Sequence, residues 1–217
     1  MSEEIVIVYM KSHCPTFADT STVAIAMKYG IKPIGNMAHE CFMFQAAIHP
    51  PKEANYEVME QWVKVYDGDL GTVLTDTYTV EVFLRNFSMK LAKLYDGVRH
   101  DSGDPFAWGD KMIAHYKKYG VDPKTKLLLF SDSLDFDRAQ KLYDYFCDKT
   151  KVSFGIGTFC SNDTEEKALN IVVKLQFVNG RPVAKLSDDC GKSMCRDNEY
   201  LEYLRRAVDF RLKREAE

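Results

Sequence analysis

Four times along the chain a short apolar run gives way to a polar cluster and then to a stretch of helical period. Residues 71–75 lead to Asp76, and an apolar lead-in reaches Arg99. Residues 126–130 lead to Ser131, and 152–154 lead to Gly155. Between them, Val80, Phe83, Phe87, Leu91 and Leu94 trace one helical stripe, Phe106, Ile113 and Tyr116 a second, and Ala139, Leu142, Tyr143 and Phe146 a third. Short apolar runs bounded by turn residues read as buried strands, and stripes of period 3.6 read as helices. The alternation predicts an α/β fold with a parallel sheet, in which the loops after the strand C-termini gather on one face. The four polar clusters are therefore expected to converge.

The flanks are less regular. Residues 3–10 predict a strand by propensity, 24–30 a short helix closed by Gly30, and 31–34 a short strand. An apolar helix follows His39 and is interrupted at His49-Pro50-Pro51. Val58, Trp62, Val65 and Tyr66 then mark a helix ended by Asp67-Gly68-Asp69. Near the C-terminus Ile171, Val173 and Leu175 alternate with smaller or polar residues, and Asn179-Gly180 offers a type I′ turn with 183–186 as the return strand. A charged helix around Leu201, Leu204 and Val208, capped by Asp197, closes the chain. Without an internal repeat or an obvious linker, residues 1–217 are expected to form one domain.

Composition narrows the class. A formal charge of −3 with interspersed signs carries no nucleic-acid footprint. No apolar run approaches membrane-spanning length, and the acidic start is unlike a signal peptide, which points to a cytoplasmic protein. Six cysteines without a Cys-x-x-Cys pair suggest reduced thiols rather than disulfides or a zinc site.

The candidate chemistry lies in the clusters. Arg99, Asp101, Ser102, Gly103 and Asp104 suit a ligand carrying phosphate and hydroxyls, since guanidinium is a fork of donors and carboxylates accept from sugar hydroxyls. The same residues equally describe a solvated loop with Asp104 capping the next helix and Pro105 in its first turn. His39, in a small-residue turn, is a structural histidine or a nucleophile oriented by Glu40 or another carboxylate. Asp76 reads first as a helix cap and second as a carboxylate at a strand end. Ser131, Asp132 and Asp135 share that ambiguity. Gly155-Ile156-Gly157-Thr158 could present backbone N–H groups to a phosphate or simply make a tight turn. His13, His49 and His115 read as structural or exposed.

Taken in order, these strings resemble the nicotinate phosphoribosyltransferase family. They are Pro33-Ile34-Gly35-Asn36-Met37-Ala38-His39-Glu40, Leu74-Thr75-Asp76-Thr77, Phe83-Leu84-Arg85-Asn86-Phe87, Arg99-His100-Asp101-Ser102-Gly103-Asp104-Pro105, Phe130-Ser131-Asp132-Ser133-Leu134-Asp135, Ser153-Phe154-Gly155-Ile156-Gly157-Thr158, Leu169-Asn170-Ile171-Val172-Val173-Lys174-Leu175 and Lys185-Leu186-Ser187-Asp188. The resemblance implies an incomplete α/β barrel of the type II phosphoribosyltransferase kind, with a C-terminal β-hairpin and helix. It implies ATP-driven transfer of phosphoribosyl from phosphoribosyl pyrophosphate (PRPP) to nicotinate, giving nicotinate mononucleotide for NAD biosynthesis. His39 would be phosphorylated by ATP. Arg99 would contact base and phosphoribosyl group, and Asp101 the ribose hydroxyls. Gly155, Gly157 and Thr158 would hold the 5′-phosphate. Ser21, Ser102, Gly103, Ser131 and Asp132 would line the substrates, and Asp76 would stand on the ribose or pyrophosphate side. Mg²⁺ would come with PRPP, with Asp76 as the one protein group near it.

Measured against the same family, the chain corresponds to the C-terminal half and lacks the N-terminal region with its base-stacking aromatic residue. Asp19 stands where the family has glycine, Asn36 where threonine is usual, and Ala168 where proline is common. Self-association, or association with an N-terminal half, is therefore expected. The alternative is an inactive subunit that binds PRPP or the mononucleotide.

Overall fold

The computed structural model of the chain describes residues 3–162, 166, 169, 171–188, 193 and 195–214. Ala168 and Cys190 lie outside the described residues; the five described cysteines are free thiols. Propensity alone suggests a strand at the start, whereas the family resemblance implies that these residues belong to a helix; the chain forms helix α1 (Glu3–His13). Glu3 and Glu4 in its first turn and Lys11 and His13 in its last complement the helix dipole. Glu4 also accepts from Lys28 (2.6 Å) and Tyr29 (2.5 Å) of α2 (Val23–Tyr29). These contacts from a distant segment override the β-propensity of the Ile-Val-Ile-Val run. Gly30 closes α2 in the left-handed conformation. The strand expected at 31–34 shrinks to one parallel bridge, Thr20 to Pro33, because proline has no N–H to extend a ladder.

Helices α3 (His39–Ile48) and α4 (Ala54–Tyr66) follow as expected. The four apolar runs become β1 (Thr72–Leu74), β2 (Gly97–His100), β3 (Leu127–Phe130) and β4 (Lys151–Phe154). They form a parallel sheet in sequential order, with Leu74 opposite Arg99, Arg99 opposite Leu129 and Phe130 opposite Phe154. The order is sequential and has no switch point. Among the described residues β1 and β4 are its edges, so the sheet is open. At Gly97 a Cβ would lie 2.2 Å from the Leu127 carbonyl oxygen, so only glycine lets β2 enter the sheet there.

The crossovers differ from expectation in one place. The stripe from Val80 to Leu94 is two helices, α5 (Val80–Asn86) and α6 (Met89–Leu94), parted at Phe87. Ser88 caps α6 by accepting from the Leu91 N–H, and the Phe87 carbonyl freed at the break accepts from buried His115 (2.7 Å). Helix α7 (Pro105–Lys118) starts with Pro105 and the Asp104 cap (Ala107 N–H, 2.7 Å). Asp135 caps α8 (Phe136–Phe146) in the same way (Arg138 N–H, 2.7 Å). Together α7, α8 and the sheet bury Trp108, Met112, Leu128, Phe130, Leu142 and Phe146.

Beyond β4 come the short α9 (Thr158–Ser161) and a two-residue hairpin, β5 (Phe177–Val178) and β6 (Arg181–Pro182). Asn179 and Gly180 both take positive φ, as a type I′ turn demands. The hairpin is shorter than its pattern: 171–175 forms no strand, and 183–186 turns away to serve the site. Helix α10 (Asn198–Arg214) completes the described chain, with Asp197 capping it through the Tyr200 N–H (2.9 Å).

Candidate active site

Because the strands are parallel, Asp76, Arg99 to Ser102, Ser131 and Gly155 all leave the sheet at its C-terminal edge. His39 reaches the same place from the first turn of α3. Its Nε2 lies 2.9 Å from Asp76 Oδ1 and 3.4 Å from Asp101 Oδ2. Asp76 is fully buried, and its second oxygen accepts from the Ser102 hydroxyl (2.7 Å) and the Lys185 ammonium (2.8 Å). Burial alone would raise this carboxyl. The His39 hydrogen bond and the Lys185 charge overcome it and hold Asp76 well below the usual carboxylate range. It is therefore ionised at any physiological pH. A carboxylate can only accept, so Nε2 carries the ring proton in the Asp76 bond. The ring's other nitrogen, Nδ1, lies 3.3 Å from the Lys174 ammonium, which can only donate. The two contacts select the Nε2–H tautomer with its lone pair on Nδ1.

Arg99 forms the opposite wall. Nε donates to Ser131 Oγ (2.8 Å), one terminal nitrogen to Asn36 Oδ1 (2.6 Å) and the other to Asp101 Oδ1 (2.7 Å). Guanidinium has five N–H donors, so this half-buried side chain is fixed in direction and keeps two for a ligand. The Ser131 hydroxyl in turn donates a hydrogen bond to the His100 carbonyl (2.9 Å). His100 is buried between Trp108 and Phe130, and burial lowers its proton affinity. It belongs to the wall rather than to the reacting group.

The expected residues do not all behave as expected. Asp76 is no helix cap; Thr79 takes that place by accepting from the Val82 N–H. Asp104 is exposed and caps α7. The ring of His39 is oriented by Asp76, while Glu40 pairs with Lys174 (3.2 Å). The Gly155 N–H donates to the Phe130 carbonyl (2.8 Å), and Gly157 and Thr158 lie exposed at the start of α9. Gly103 lends its carbonyl to His100 (3.2 Å), and Asp132 accepts from Ser133 (3.1 Å) with its charge felt by His100. Ser21 is exposed, and no hydrogen bond among the described residues ties it to the cluster.

Lys174, Lys185 and Asn36 stand in the strings that carry the family resemblance, but the sequence assigned none of them a role. Lys185 is buried in Val183-Ala184-Lys185-Leu186, and a lysine inside such an apolar run was the available signal. Its backbone is fixed by a strap: the Leu186 N–H donates to the Thr77 carbonyl (2.9 Å), and Asp188 accepts from the Val80 N–H (3.0 Å). The same lysine bears on Mg²⁺. His39, Asp76 and Asp101 present ligand atoms within 4.8 Å of one another, the spread of a metal site. Lys185 Nζ already sits 2.8 Å from Asp76 and 3.6 Å from Asp101, where the cation would be. These side chains do not fit a resident Mg²⁺.

Parallel strands delivering a charged, hydroxyl-bearing cluster to one edge define an α/β protein with a polar site at the C-terminal edge of its sheet. Comparison with known proteins gives the particular kind. The model of the nicotinate phosphoribosyltransferase (NAPRTase) family matches residues 1–212, and the chain belongs to that family. It is 48% identical over 204 residues to the nicotinate phosphoribosyltransferase of Herminiimonas arsenicoxydans, covering 94% of this chain and 51% of that protein. The crystal structure of nicotinate phosphoribosyltransferase from Vibrio cholerae superimposes with a TM-score of 0.92 at 45% identity, covering 95% of this chain and 51% of that one. The Porphyromonas gingivalis structure gives 0.88 at 42% identity, covering 94% and 55%. The chain thus spans about half the length of the relatives it matches.

Proposed function

We propose that this chain carries the phosphohistidine and phosphoribosyl half of a nicotinate phosphoribosyltransferase site. The supporting observation is the buried Asp76–His39 pair, which leaves the Nδ1 lone pair of His39 as a nucleophile, with Arg99 and Asp101 in the same cluster. In the proposed reaction Nδ1 attacks the γ-phosphorus of ATP, forming the N–P bond while the P–O bond to ADP breaks. Asp76 balances the positive charge that the ring gains. PRPP then reacts at its anomeric carbon: the bond to pyrophosphate breaks and the nicotinate nitrogen takes its place, and water afterwards attacks the phosphorus on Nδ1, so that the N–P bond breaks, its electron pair returns to the ring and inorganic phosphate leaves. Asp101 faces the developing cationic sugar, and the two remaining Arg99 donors serve the anionic groups of base or phosphoribosyl. Gly157 and Thr158 receive the 5′-phosphate. Mg²⁺ enters as the counter-ion of ATP and pyrophosphate, since the protein's own carboxylates are neutralised by Lys185.

The test is formation of nicotinate mononucleotide from nicotinate and PRPP, with Mg²⁺, by the purified chain together with the N-terminal half of a relative. ATP should stimulate the yield, and His39→Ala should lose the ATP-stimulated part. PRPP binding without any product would favour the inactive subunit instead.

A further inference from the structure

The Asp76 bond leaves the Nδ1 lone pair of His39 available, yet Nδ1 is not open. Lys174 lies over it, with Nζ at 3.3 Å and a side chain only 14% exposed. Lys174 is held from two sides. Its ammonium also pairs with Glu40 at 3.2 Å, and the next residue, Leu175, packs against the buried cluster of Met43, Ala47, Val178 and Val183. One residue further, the Gln176 carbonyl accepts from the Val183 N–H (2.9 Å), which anchors the segment at the base of the hairpin. An ammonium that donates to the nucleophilic lone pair suppresses attack on any neutral electrophile. Toward a phosphate the same ammonium acts in the opposite sense, because the anionic oxygens outcompete a neutral ring nitrogen for its protons.

We infer that Lys174 is a catalytic residue with two linked duties: it covers Nδ1 of His39 until an anionic phosphoryl donor draws it off, and it then binds the oxygens of the group being transferred. This deepens the phosphohistidine reading and rests on it. Atoms balance as before. The Nδ1 lone pair forms the N–P bond, the bridging oxygen leaves on ADP with its electron pair, and the Nε2 proton stays shared with Asp76. Lys174 only exchanges one acceptor for another. Such a device spares the buried imidazole from adventitious acylation while keeping it ready for ATP.

The test sets two reagents against each other on the chain and its Lys174→Met variant, which keeps the apolar stem and removes the ammonium. Diethyl pyrocarbonate is a neutral acylating agent, and its reaction at His39 is read by mass mapping of the His39 peptide. Phosphorylation of the same peptide is read with ATP and Mg²⁺. Lys174→Met should be acylated at His39 roughly tenfold faster, as expected for freeing a lone pair from one charged donor. It should be phosphorylated on the order of 10²-fold more slowly, the typical effect of losing one donor to a transferring group. Lys174→Arg should recover part of both rates, and Glu40→Gln should not accelerate acylation. A change of both rates in the same direction, or a Glu40→Gln variant that behaves like Lys174→Met, would overturn the inference while leaving the phosphohistidine intact. A wild-type chain whose His39 reacts freely with the neutral reagent overturns it too. A chain that ATP never phosphorylates overturns both readings.

Discussion

The Asp76 carboxylate has two oxygens, and three side-chain donors converge on them: His39 on one, Ser102 and Lys185 on the other. Replacing it by asparagine keeps the shape and removes the charge. The amide can turn its NH₂ toward Nε2, which would move the ring proton to Nδ1 and take the lone pair away from the attacking position. Asp76→Asn is therefore expected to slow phosphorylation of His39 by about 10²- to 10⁴-fold, the usual scale for general-base and orienting groups. A rate within a few-fold of wild type would show that the pair does not set the tautomer. None of this connectivity was local in the sequence. Asp76 resembled a cap because it precedes a helical stripe, and Thr79 proved nearer to the helix start. Lys185 was invisible as a partner because 109 residues of chain separate it from Asp76. His39 and Arg99 were legible because the motifs around them are specific, and the structure adds which atoms they use.

At the scale of elements, the strap from Lys185 to Asp188 connects the C-terminal hairpin to the loop after β1. Asp188 accepts from the Val80 N–H with both oxygens (3.0 and 3.2 Å) at the start of α5. Burial pushes its carboxyl up to about 6; the Val80 N–H and Lys111 oppose this, while Asp76 and Glu81 add to it. A folded-state value above the unfolded one, about 3.9, means that the native state binds the proton more tightly. The Asp188 contribution to stability is then largest at low pH and is lost as pH rises from about 4 through 6. Asp188→Asn keeps an acceptor without the charge. Its melting temperature relative to wild type should be higher at pH 7.5 than at pH 5, and a gap independent of pH would remove Asp188 from this role. Among the elements, the four strands and the helices at α2, α3, α4, α7, α8 and α10 follow directly from period and caps. The misreadings share a cause. Residues 5–8 are β-branched, but Glu4 beside them docks on α2, the Val80–Leu94 stripe breaks where His115 takes a carbonyl, and 171–175 leaves the strand pattern to place Lys174 over His39. Each was decided by a partner far away in sequence.

Over the whole molecule, the parallel sheet is open at both edges among the described residues, and apolar side chains remain at the surface near α3 and α4. An open groove of about 530 Å³ is lined there by Phe44, Val58, Trp62, Val65 and Leu175. Patches of this kind mark interaction surfaces, and relatives of about twice the length carry further chain. By itself the purified chain is expected to self-associate, and an N-terminal half of a relative should compete with that association; sedimentation velocity showing a single monomeric species at tens of micromolar, unaffected by the added half, would contradict this. The convergence of four strand ends was legible from the repeated pattern, because each apolar run ends on its own polar cluster. The central claim, that ATP phosphorylates His39 and that phosphoribosyl transfer discharges it, is open to one measurement. The chain, with the complementary half, is incubated with ATP and Mg²⁺, and the His39 peptide is followed by mass before and after adding nicotinate and PRPP. The account predicts an acid-labile phosphoryl group on Nδ1 of His39 that disappears on adding the two substrates. An unmodified His39 under conditions in which nicotinate mononucleotide is being made would contradict it.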